Sequence, residues 1–322
     1  LVDGKSPDGN EVRWVQEENW FFKLRAFQNR LLEHYEKHPD YIVPESRKNE
    51  VIAFIQQGLR DACISRTNPG WGIPVPGDES KVVYVWFDAL INYVAATGWP
   101  EPGWENLWPA EVEWMAKDIL TRFHATLWPA MLMSVGLPLP DRLVGHGYLL
   151  MAGEKISKSK GNVVAPKELA DELAGRANCA PDLAVDAVRY YLGATLPYES
   201  DASFTFEQFD QKYNSDLAND LGNALNRTLS MAHRFVDGTV PGGTAEPEAR
   251  TAIEQAISAC TVEFDGYRID RAINAAMDLV RFMNKYVDQR APWALAKAGD
   301  PAVQNVMRSL LLGLRAVEGM LR

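Results

Sequence analysis

Residues 145–164 read GHGYLLMAGEKISKSKGNVV, and the rest of the sequence is best understood from this stretch. Its second half sets three lysines and two serines between two glycines: Lys155, Lys158 and Lys160, Ser157 and Ser159, Gly153 and Gly161. On composition alone, such a run is most often a solvated surface turn. The residues before it read as two short apolar strands on either side of His146, which places the run in a loop at the edge of a sheet. A loop with several ammonium and hydroxyl groups there is suited to hold a polyphosphate.

The composition predicts a globular protein of two or three domains, since 322 residues with 47% hydrophobic side chains support a sizeable core. The net charge of −10 argues against indiscriminate nucleic-acid binding but leaves room for a local basic groove. No apolar run is long enough to cross a bilayer, and no signal peptide opens the chain. Three widely spaced cysteines predict neither a disulfide framework nor a zinc site, so a reducing cytoplasm is expected.

A first group of candidate binding residues follows an apolar run. Residues 81–87, KVVYVWF, predict a strand buried on both faces of a parallel sheet. Ligands of open α/β sheets bind outside the carboxyl ends of such strands. Trp86, Ala89 and Tyr93 therefore lie where a substrate side chain could bind, although an isolated tryptophan is more often part of a core.

A second group occupies the next predicted helix. Leu120, His124 and Trp128 are four residues apart, so they share one helical face. A single histidine on an apolar face is more often a hydrogen-bonded core residue. Together with Trp86 and Tyr93, the group favours a pocket.

The carboxyl-terminal part predicts helices. Short amphipathic segments at 167–173, 184–192 and 206–213 precede longer ones at 216–235, 246–267, 269–289 and 303–321, the pattern of an α-helical bundle. Asn223 and Arg227 share one face of the first long helix, and Trp293 follows Pro292. The ordinary interpretation of these residues is a solvated polar face and a core tryptophan.

The lysine–serine loop resembles the KMSKS signature of class I aminoacyl-tRNA synthetases, with Ile156 in place of methionine. The segments VYVWFDALINY, KDIL…FHATLWPAMLM and GHGYLLMAGEKISKSKGN follow one another in the order of the methionyl-tRNA synthetase family, and the resemblance covers essentially the whole chain. It implies an α/β fold: the second half of a Rossmann-type nucleotide fold followed by an anticodon-binding bundle. The implied domains are a catalytic half at 1–147, a loop and stem-contact region at 148–212, and the bundle at 213–322.

The resemblance also implies an activity: methionine–tRNA ligase, with ATP and Mg²⁺ forming methionyl adenylate before transfer to tRNA(Met). Lys155 and Lys158 would be catalytic. The implied ATP-binding residues are His146, Tyr148, Lys155, Ser157, Lys158 and Ser159. Those for methionine are Trp86, Ala89, Tyr93, Leu120, His124 and Trp128. Those for the CAU anticodon are Asn223, Arg227 and Trp293.

The sequence departs from the family pattern in several places. Ala116 replaces a glycine, and one additional residue, assigned to Thr121, separates KDI from FH; an added residue turns an α-helix by about 100°, which moves a family contact from Ile119 to Leu120. No HIGH-type motif and no cysteine-rich zinc knuckle occur in the sequence.

With its uncapped ends and no initiator methionine, the chain is expected to be an internal piece that lacks the amino-terminal half of the enzyme. A tRNA-binding module without catalysis remains an alternative. A sister ligase for another hydrophobic amino acid is a weaker one, because the aromatic residues and histidine of the pocket count against it.

Overall fold

The computed structural model describes residues 16–156, 165–197 and 199–322, except the side chain of Lys155. The chain divides into two compact units, Leu1–Gly145 and His146–Arg322. In the first unit the strands are β1 Phe21–Phe22, β2 Ile42–Val43, β3 Ala62–Cys63, β4 Ser65–Thr67, β5 Pro74–Val75, β6 Asp78–Val83, β7 Glu113–Ala116 and β8 Leu143–His146. Its helices are α1 Gln28–Lys37, α2 Glu45–Gln56, α3 Val85–Ala95, α4 Lys117–Ile119 and α5 Trp128–Val135, with short 3₁₀ turns at Leu24–Phe27 and Trp104–Asn106.

Three small sheets organise the described part of the first unit, from residue 16 onward. The order β2-β8-β7 forms one sheet, in which Ile42 pairs with Leu143 in parallel. A second sheet, β4-β6-β5, is antiparallel, and β1 pairs with β3 in a third. Two apolar clusters pack around these strands, one including Leu31, Ile55 and Leu120, the other including Leu90, Trp108 and Trp128.

The predicted parallel strand at 81–87 is wrong. Strand β6 ends at Val83 and runs antiparallel, and α3 begins at Val85, which is 62% exposed. Tyr84 keeps an extended backbone, and its carbonyl accepts the amides of Phe87 and Asp88 at 2.9 and 3.1 Å, which opens the helix. The apolar run is therefore a strand end joined to a first helical turn.

The helix that begins at Lys117 contains a π-helical segment, Leu120–Leu127, between α4 and α5. In a π-helix the backbone bonds run from i to i+5, so each turn holds more residues than the 3.6 of an α-helix. An additional residue at Thr121, as the sequence comparison predicted, would be accommodated in these wider turns. His124 and Trp128 are both buried along this helix.

The second unit is mainly helical, as the sequence predicted. Its one described sheet has the order β10-β9-β11, with β9 Leu149–Met151, β10 Glu154–Lys155 and β11 Ala202–Phe204. Three helices follow the predicted stem-contact segments: α6 Pro166–Ala177, α7 Pro181–Thr195 and α8 Phe206–Lys212. After a π-helical segment, Tyr213–Leu221, the bundle comprises α9 Gly222–Phe235, α10 Pro247–Asp265, α11 Ile269–Arg290, α12 Pro292–Ala298 and α13 Ala302–Leu321.

Interlocking apolar side chains hold the bundle together. Met277, Val280, Met307 and Leu310 are fully buried where α11 and α13 pack. Apolar burial of this kind contributes roughly 1.5–3 kcal/mol per large side chain. Because the buried residues recur at the helical period, the sequence could predict these long amphipathic helices. Among the helices that the structure describes, none is both long and apolar enough to span a membrane.

Candidate functional site

A hydrogen bond between Tyr93 and His124 is the polar centre of the candidate pocket in the first unit. The Tyr93 hydroxyl lies 2.8 Å from His124 Nε2, and His124 Nδ1 lies 3.0 Å from the carbonyl oxygen of Ile119. Because a carbonyl can only accept, Nδ1 carries the proton and Nε2 accepts from Tyr93; this tautomer is assigned from the hydrogen-bond network. Burial lowers the pKa of His124, which keeps the imidazole neutral.

Two pairs of aromatic rings join α3 to the helix that carries His124. The Trp86 ring stacks on Phe123, with centroids 4.3 Å apart and planes inclined by 19°. Tyr93 also contacts the Trp128 ring, with centroids 5.9 Å apart. Phe123 directly precedes His124, and Trp86 and Tyr93 lie on one face of α3.

The structure separates the remaining pocket candidates. Ala89 is half-buried on α3, between Trp86 and Tyr93 in sequence. Leu120 is fully buried in the cluster with Leu31 and Ile55, whereas Trp128 belongs to the other cluster. All six predicted methionine-pocket residues therefore lie on α3 or on the helical stretch from Lys117 to Val135. Leu120 nevertheless packs into the other apolar cluster, away from Trp128.

Sequence reasoning missed two residues at this site. Phe123 was passed over, although an aromatic residue next to His124 was a visible signal. Glu113 is 3% exposed, and its Oε1 accepts the Trp128 indole N–H at 3.1 Å. Burial raises the pKa of Glu113 to about 7, and the Trp128 hydrogen bond opposes that rise. A carboxylate at the head of an apolar strand was its only signal.

A cavity of about 660 Å³ lies beside the aromatic rings in the first unit. Phe87 and Phe123 form part of its wall, and three arginines line it: Arg60, Arg66 and Arg122. The guanidinium of Arg66 lies 4.0 Å from the centroid of the Tyr84 ring, a cation–π contact, and donates to the carbonyl oxygen of Ser65 at 2.7 Å. No carboxylate lines this cavity within the described residues, so its walls combine aromatic surface with positive charge.

In the second unit, His146 and Tyr148 border a close backbone contact. His146 Nδ1 lies 2.7 Å from the carbonyl oxygen of Gly147, and the Tyr148 amide donates to Asp201 Oδ1 at 2.8 Å. A side chain at Gly147 would place its Cβ 2.1 Å from the Ser200 carbonyl oxygen. Glycine is therefore required here by a close approach of two backbone segments.

A tight hairpin leads into the lysine–serine loop. Strands β9 and β10 pair antiparallel across Ala152 and Gly153, whose φ angles are 50° and 82°. Two successive positive φ angles are the geometry of the hairpin turns that match strand twist. Lys155 pairs with Leu150 at the end of this hairpin. Ser157, Lys158 and Ser159 lie outside the described residues, so their predicted contacts remain predictions.

The anticodon candidates lie on the bundle. Asn223 is exposed on α9, and the Arg227 Nη2 atom pairs with Asp288 Oδ1 at 2.5 Å. Trp293 is 46% exposed on α12 and lines a cavity of about 740 Å³ together with Arg234 and Lys297. Asn223 and Arg227 do not line this cavity, so the structure brings the tryptophan to a different part of α9.

The described ranges, 16–156, 165–197 and 199–322, contain no candidate metal site. No group of three or more histidine, cysteine, aspartate or glutamate side chains in them is placed to hold a metal ion.

Comparisons with known proteins agree with one another. A family model described as tRNA synthetases class I (M) matches residues 1–229. The methionine–tRNA ligase of Listeria innocua is 43% identical over all of this chain, and that of Caldanaerobacter subterraneus is 45% identical over 92% of it. The chain spans about half the length of the curated relatives it matches, 48% and 46% in these two cases.

A solved structure adds the three-dimensional comparison. The Mycobacterium tuberculosis methionyl-tRNA synthetase in complex with methionyl-adenylate superposes with a TM-score of 0.85 at 38% identity, over 99% of this chain and 64% of that one. This supports the predicted α/β class I synthetase fold. Since the family model matches more than half of the sequence, the chain belongs to the family of class I tRNA synthetases (M).

Proposed function

We propose that this chain is part of a methionine–tRNA ligase, in which it supplies one wall of the methionine pocket, the phosphate loop and the anticodon-binding bundle. The observation that supports the proposal is the set of contacts that joins α3 to the helix of His124: the Trp86–Phe123 and Tyr93–Trp128 ring contacts and the Tyr93–His124 hydrogen bond. A thioether is polarizable and favours aromatic edges, at about 0.3–1.5 kcal/mol per contact. The solved relative that holds methionyl-adenylate has the same fold.

The proposed reaction has two steps. A carboxylate oxygen of methionine attacks the α-phosphorus of ATP, pyrophosphate leaves, and methionyl adenylate forms. The terminal ribose hydroxyl of tRNA(Met) then attacks the activated carbonyl and AMP leaves. Neither step needs a covalent bond to a side chain, so the chain's contribution is positioning and charge stabilisation.

Each group of residues has one role in this scheme. Trp86, Ala89 and Tyr93 hold the methionine side chain, with His124 fixing the Tyr93 hydroxyl, and Leu120 supports the helix behind it. Lys155 and Lys158 stabilise the charge that develops as pyrophosphate leaves. The remaining ATP contacts are assigned to His146, Tyr148, Ser157 and Ser159. Mg²⁺ arrives with the ATP, as part of the substrate.

The bundle is proposed to read the CAU anticodon. Single-stranded bases are recognised by stacking on aromatic rings and by hydrogen bonds to their edges. Trp293 offers a half-exposed ring for stacking, and Asn223 offers an exposed amide. Arg227 would exchange its exposed ion pair with Asp288 for a base edge, at low cost because such surface pairs contribute about 0–1 kcal/mol. The domains are proposed as 1–147, 148–212 and 213–322.

The coverage of the relatives supports a second candidate. The chain matches about half of each curated relative and contains no HIGH-type motif, so the chain alone would be a tRNA-binding piece without catalysis. Under both candidates the partners are tRNA(Met) and an amino-terminal segment that completes the nucleotide fold, and the compartment is the cytoplasm.

Charging of tRNA(Met) separates the two candidates. The chain is assayed alone and with a separately expressed amino-terminal half of a methionine–tRNA ligase that carries the HIGH-type motif. Charging only in the mixture supports a ligase in which this chain forms one side of the site. Binding of a CAU stem-loop without charging in either sample supports the tRNA-binding piece. If neither charging nor stem-loop binding were detected, both candidates would be contradicted.

A further inference from the structure

Glu113 is a buried acid that the proposed reaction does not use. It lies on β7, where its amide donates to the Arg142 carbonyl at 2.9 Å. Its Oε1 accepts the Trp128 indole N–H, whereas its Oε2 is buried without a hydrogen-bond partner in the described structure. An acid with one bonded and one unpaired oxygen is costly to bury.

Trp128 is the residue through which Glu113 makes a hydrogen bond toward the pocket. The Trp128 ring is 1% exposed and contacts two other rings, Tyr93 at 5.9 Å and Trp108 at 6.0 Å between centroids. Its indole N–H is its single polar group, and Glu113 accepts it. Apolar packing restrains the position of the Trp128 ring, and the hydrogen bond to Glu113 fixes the orientation of that ring.

The ring rotation affects the substrate wall through Tyr93. The Tyr93 hydroxyl donates to His124 Nε2, so a turned Trp128 ring displaces one partner of that hydrogen bond. We propose that Glu113 is a positioning residue for the methionine pocket, acting through its hydrogen bond to the Trp128 indole and through that ring on the Tyr93–His124 pair. The part concerning methionine rests on the proposed function; the control of Trp128 by Glu113 does not.

The electrostatic surroundings make the hydrogen bond responsive to pH. The Glu113 charge is among the causes that raise the pKa values of Tyr41 and Tyr93, and Asp141 acts on Tyr41 in the same direction. No cation is among the causes that shift the pKa of Glu113; only burial and the Trp128 hydrogen bond are. The ionised carboxylate accepts the indole N–H more strongly than the neutral acid does.

The first experiment follows the Trp128 indole N–H by ¹H–¹⁵N NMR of the indole-labelled chain, with Trp128→Phe to assign its peak. In the wild type the peak is expected to titrate with a midpoint near 7, the pKa of Glu113. In Glu113→Gln, which keeps an acceptor oxygen but cannot ionise, the titration is expected to disappear. An unchanged titration in Glu113→Gln would overturn the proposal. This measurement needs no methionine, so its result stands whether or not the proposed function holds.

The second experiment measures methionine-dependent pyrophosphate exchange by the ligase with its nucleotide fold complete. Glu113→Leu removes the acceptor and is expected to raise the KM for methionine about tenfold with kcat nearly unchanged. Glu113→Gln keeps an acceptor oxygen and is expected to show the wild-type KM for methionine at pH 6. Glu79→Leu, at an exposed glutamate of β6, serves as the control. Equal KM values in Glu113→Leu and wild type, or loss of kcat alone, would overturn the positioning role.

Discussion

The hydroxyl of Tyr93 lies 2.8 Å from Nε2 of His124, and this contact joins α3 to the π-helical segment that follows α4. The tyrosine donates because the other imidazole nitrogen is committed to the Ile119 carbonyl oxygen. Both side chains are therefore fixed by protein contacts before any substrate binds. Such preorganisation limits the ordering that a substrate must impose when it enters.

Removing the donor tests this arrangement. Tyr93→Phe leaves Nε2 of the buried His124 without a partner, which should lower the free energy of unfolding by about 1–3 kcal/mol. The KM for methionine should rise about tenfold, because the pocket wall is no longer fixed. Denaturant unfolding and pyrophosphate exchange measure the two effects. Tyr213→Phe, at an exposed tyrosine of the second unit, is the control, and equal losses in both variants would contradict the prediction.

Glu113 predicts a specific pH dependence of stability. Its pKa is raised by burial from 4.5 in the unfolded chain to about 7 in the fold, so the folded protein binds more protons between these values. The stability from this group is fully present below pH 4.5 and is lost as the pH rises through 7. Relative to Glu113→Gln, the wild type should lose about 3 kcal/mol over that range, at about 1.4 kcal/mol per pKa unit. Urea unfolding at several pH values measures the difference, and a constant difference would contradict it.

Gly147 predicts a steric effect beside Tyr148. In Gly147→Ala the new Cβ would lie 2.1 Å from the Ser200 carbonyl oxygen, so two backbone segments must separate. The cost should be about 1–3 kcal/mol, as for other overpacked sites. Gly175→Ala is the matched control, because Gly175 lies in α6 with open space around it and should become more stable by about 0.5–1 kcal/mol. Thermal unfolding of both variants is the measurement, and equal shifts would be inconsistent with the steric account.

Trp293 predicts a separation of tRNA recognition from amino-acid activation. Trp293→Ala removes a stacking surface worth about 1–3 kcal/mol per base, so the KM for tRNA in the charging reaction should rise about tenfold or more. Methionine-dependent pyrophosphate exchange should stay nearly unchanged. Phe264→Ala, at an exposed aromatic residue of α10, controls for surface effects. A parallel loss of exchange and charging would contradict the anticodon role of Trp293.

Lys158 is expected to affect adenylate formation and not tRNA binding, the reverse of Trp293. Lys158→Ala should slow adenylate formation by about 10²-fold or more, since it removes a cation positioned for the leaving pyrophosphate. Affinity for tRNA should change little. Lys167→Ala, at an exposed lysine of α6, is the control, and unchanged exchange in Lys158→Ala would remove the loop from the mechanism.

The helical bundle could be predicted because its long apolar periods coincide with burial at residues such as Met277 and Leu310. Residues 81–87 could not, because periodicity cannot distinguish a buried strand from a short strand followed by a helical turn. Tyr84, which separates the two elements, carries no proline or glycine signal.

Side-chain spacing predicted which residues of the candidate site share one helix. His124 and Trp128 are buried on one helix and both contact Tyr93. The π-helical segment was not predictable, since the added residue near Thr121 indicated only a rotated contact. The Glu113–Trp128 hydrogen bond was also invisible, because a separation of 15 residues across a strand and a helix leaves no local pattern.

The proposed function requires that Trp86, Tyr93 and the residues around His124 select methionine. The most direct test is the amino-acid dependence of ATP–pyrophosphate exchange in the ligase with its nucleotide fold complete, in wild type and in His124→Ala. Exchange with methionine should be at least about 10²-fold more efficient than with leucine, and the KM for methionine should rise in His124→Ala. Comparable exchange with leucine, together with an unchanged KM in His124→Ala, would contradict it.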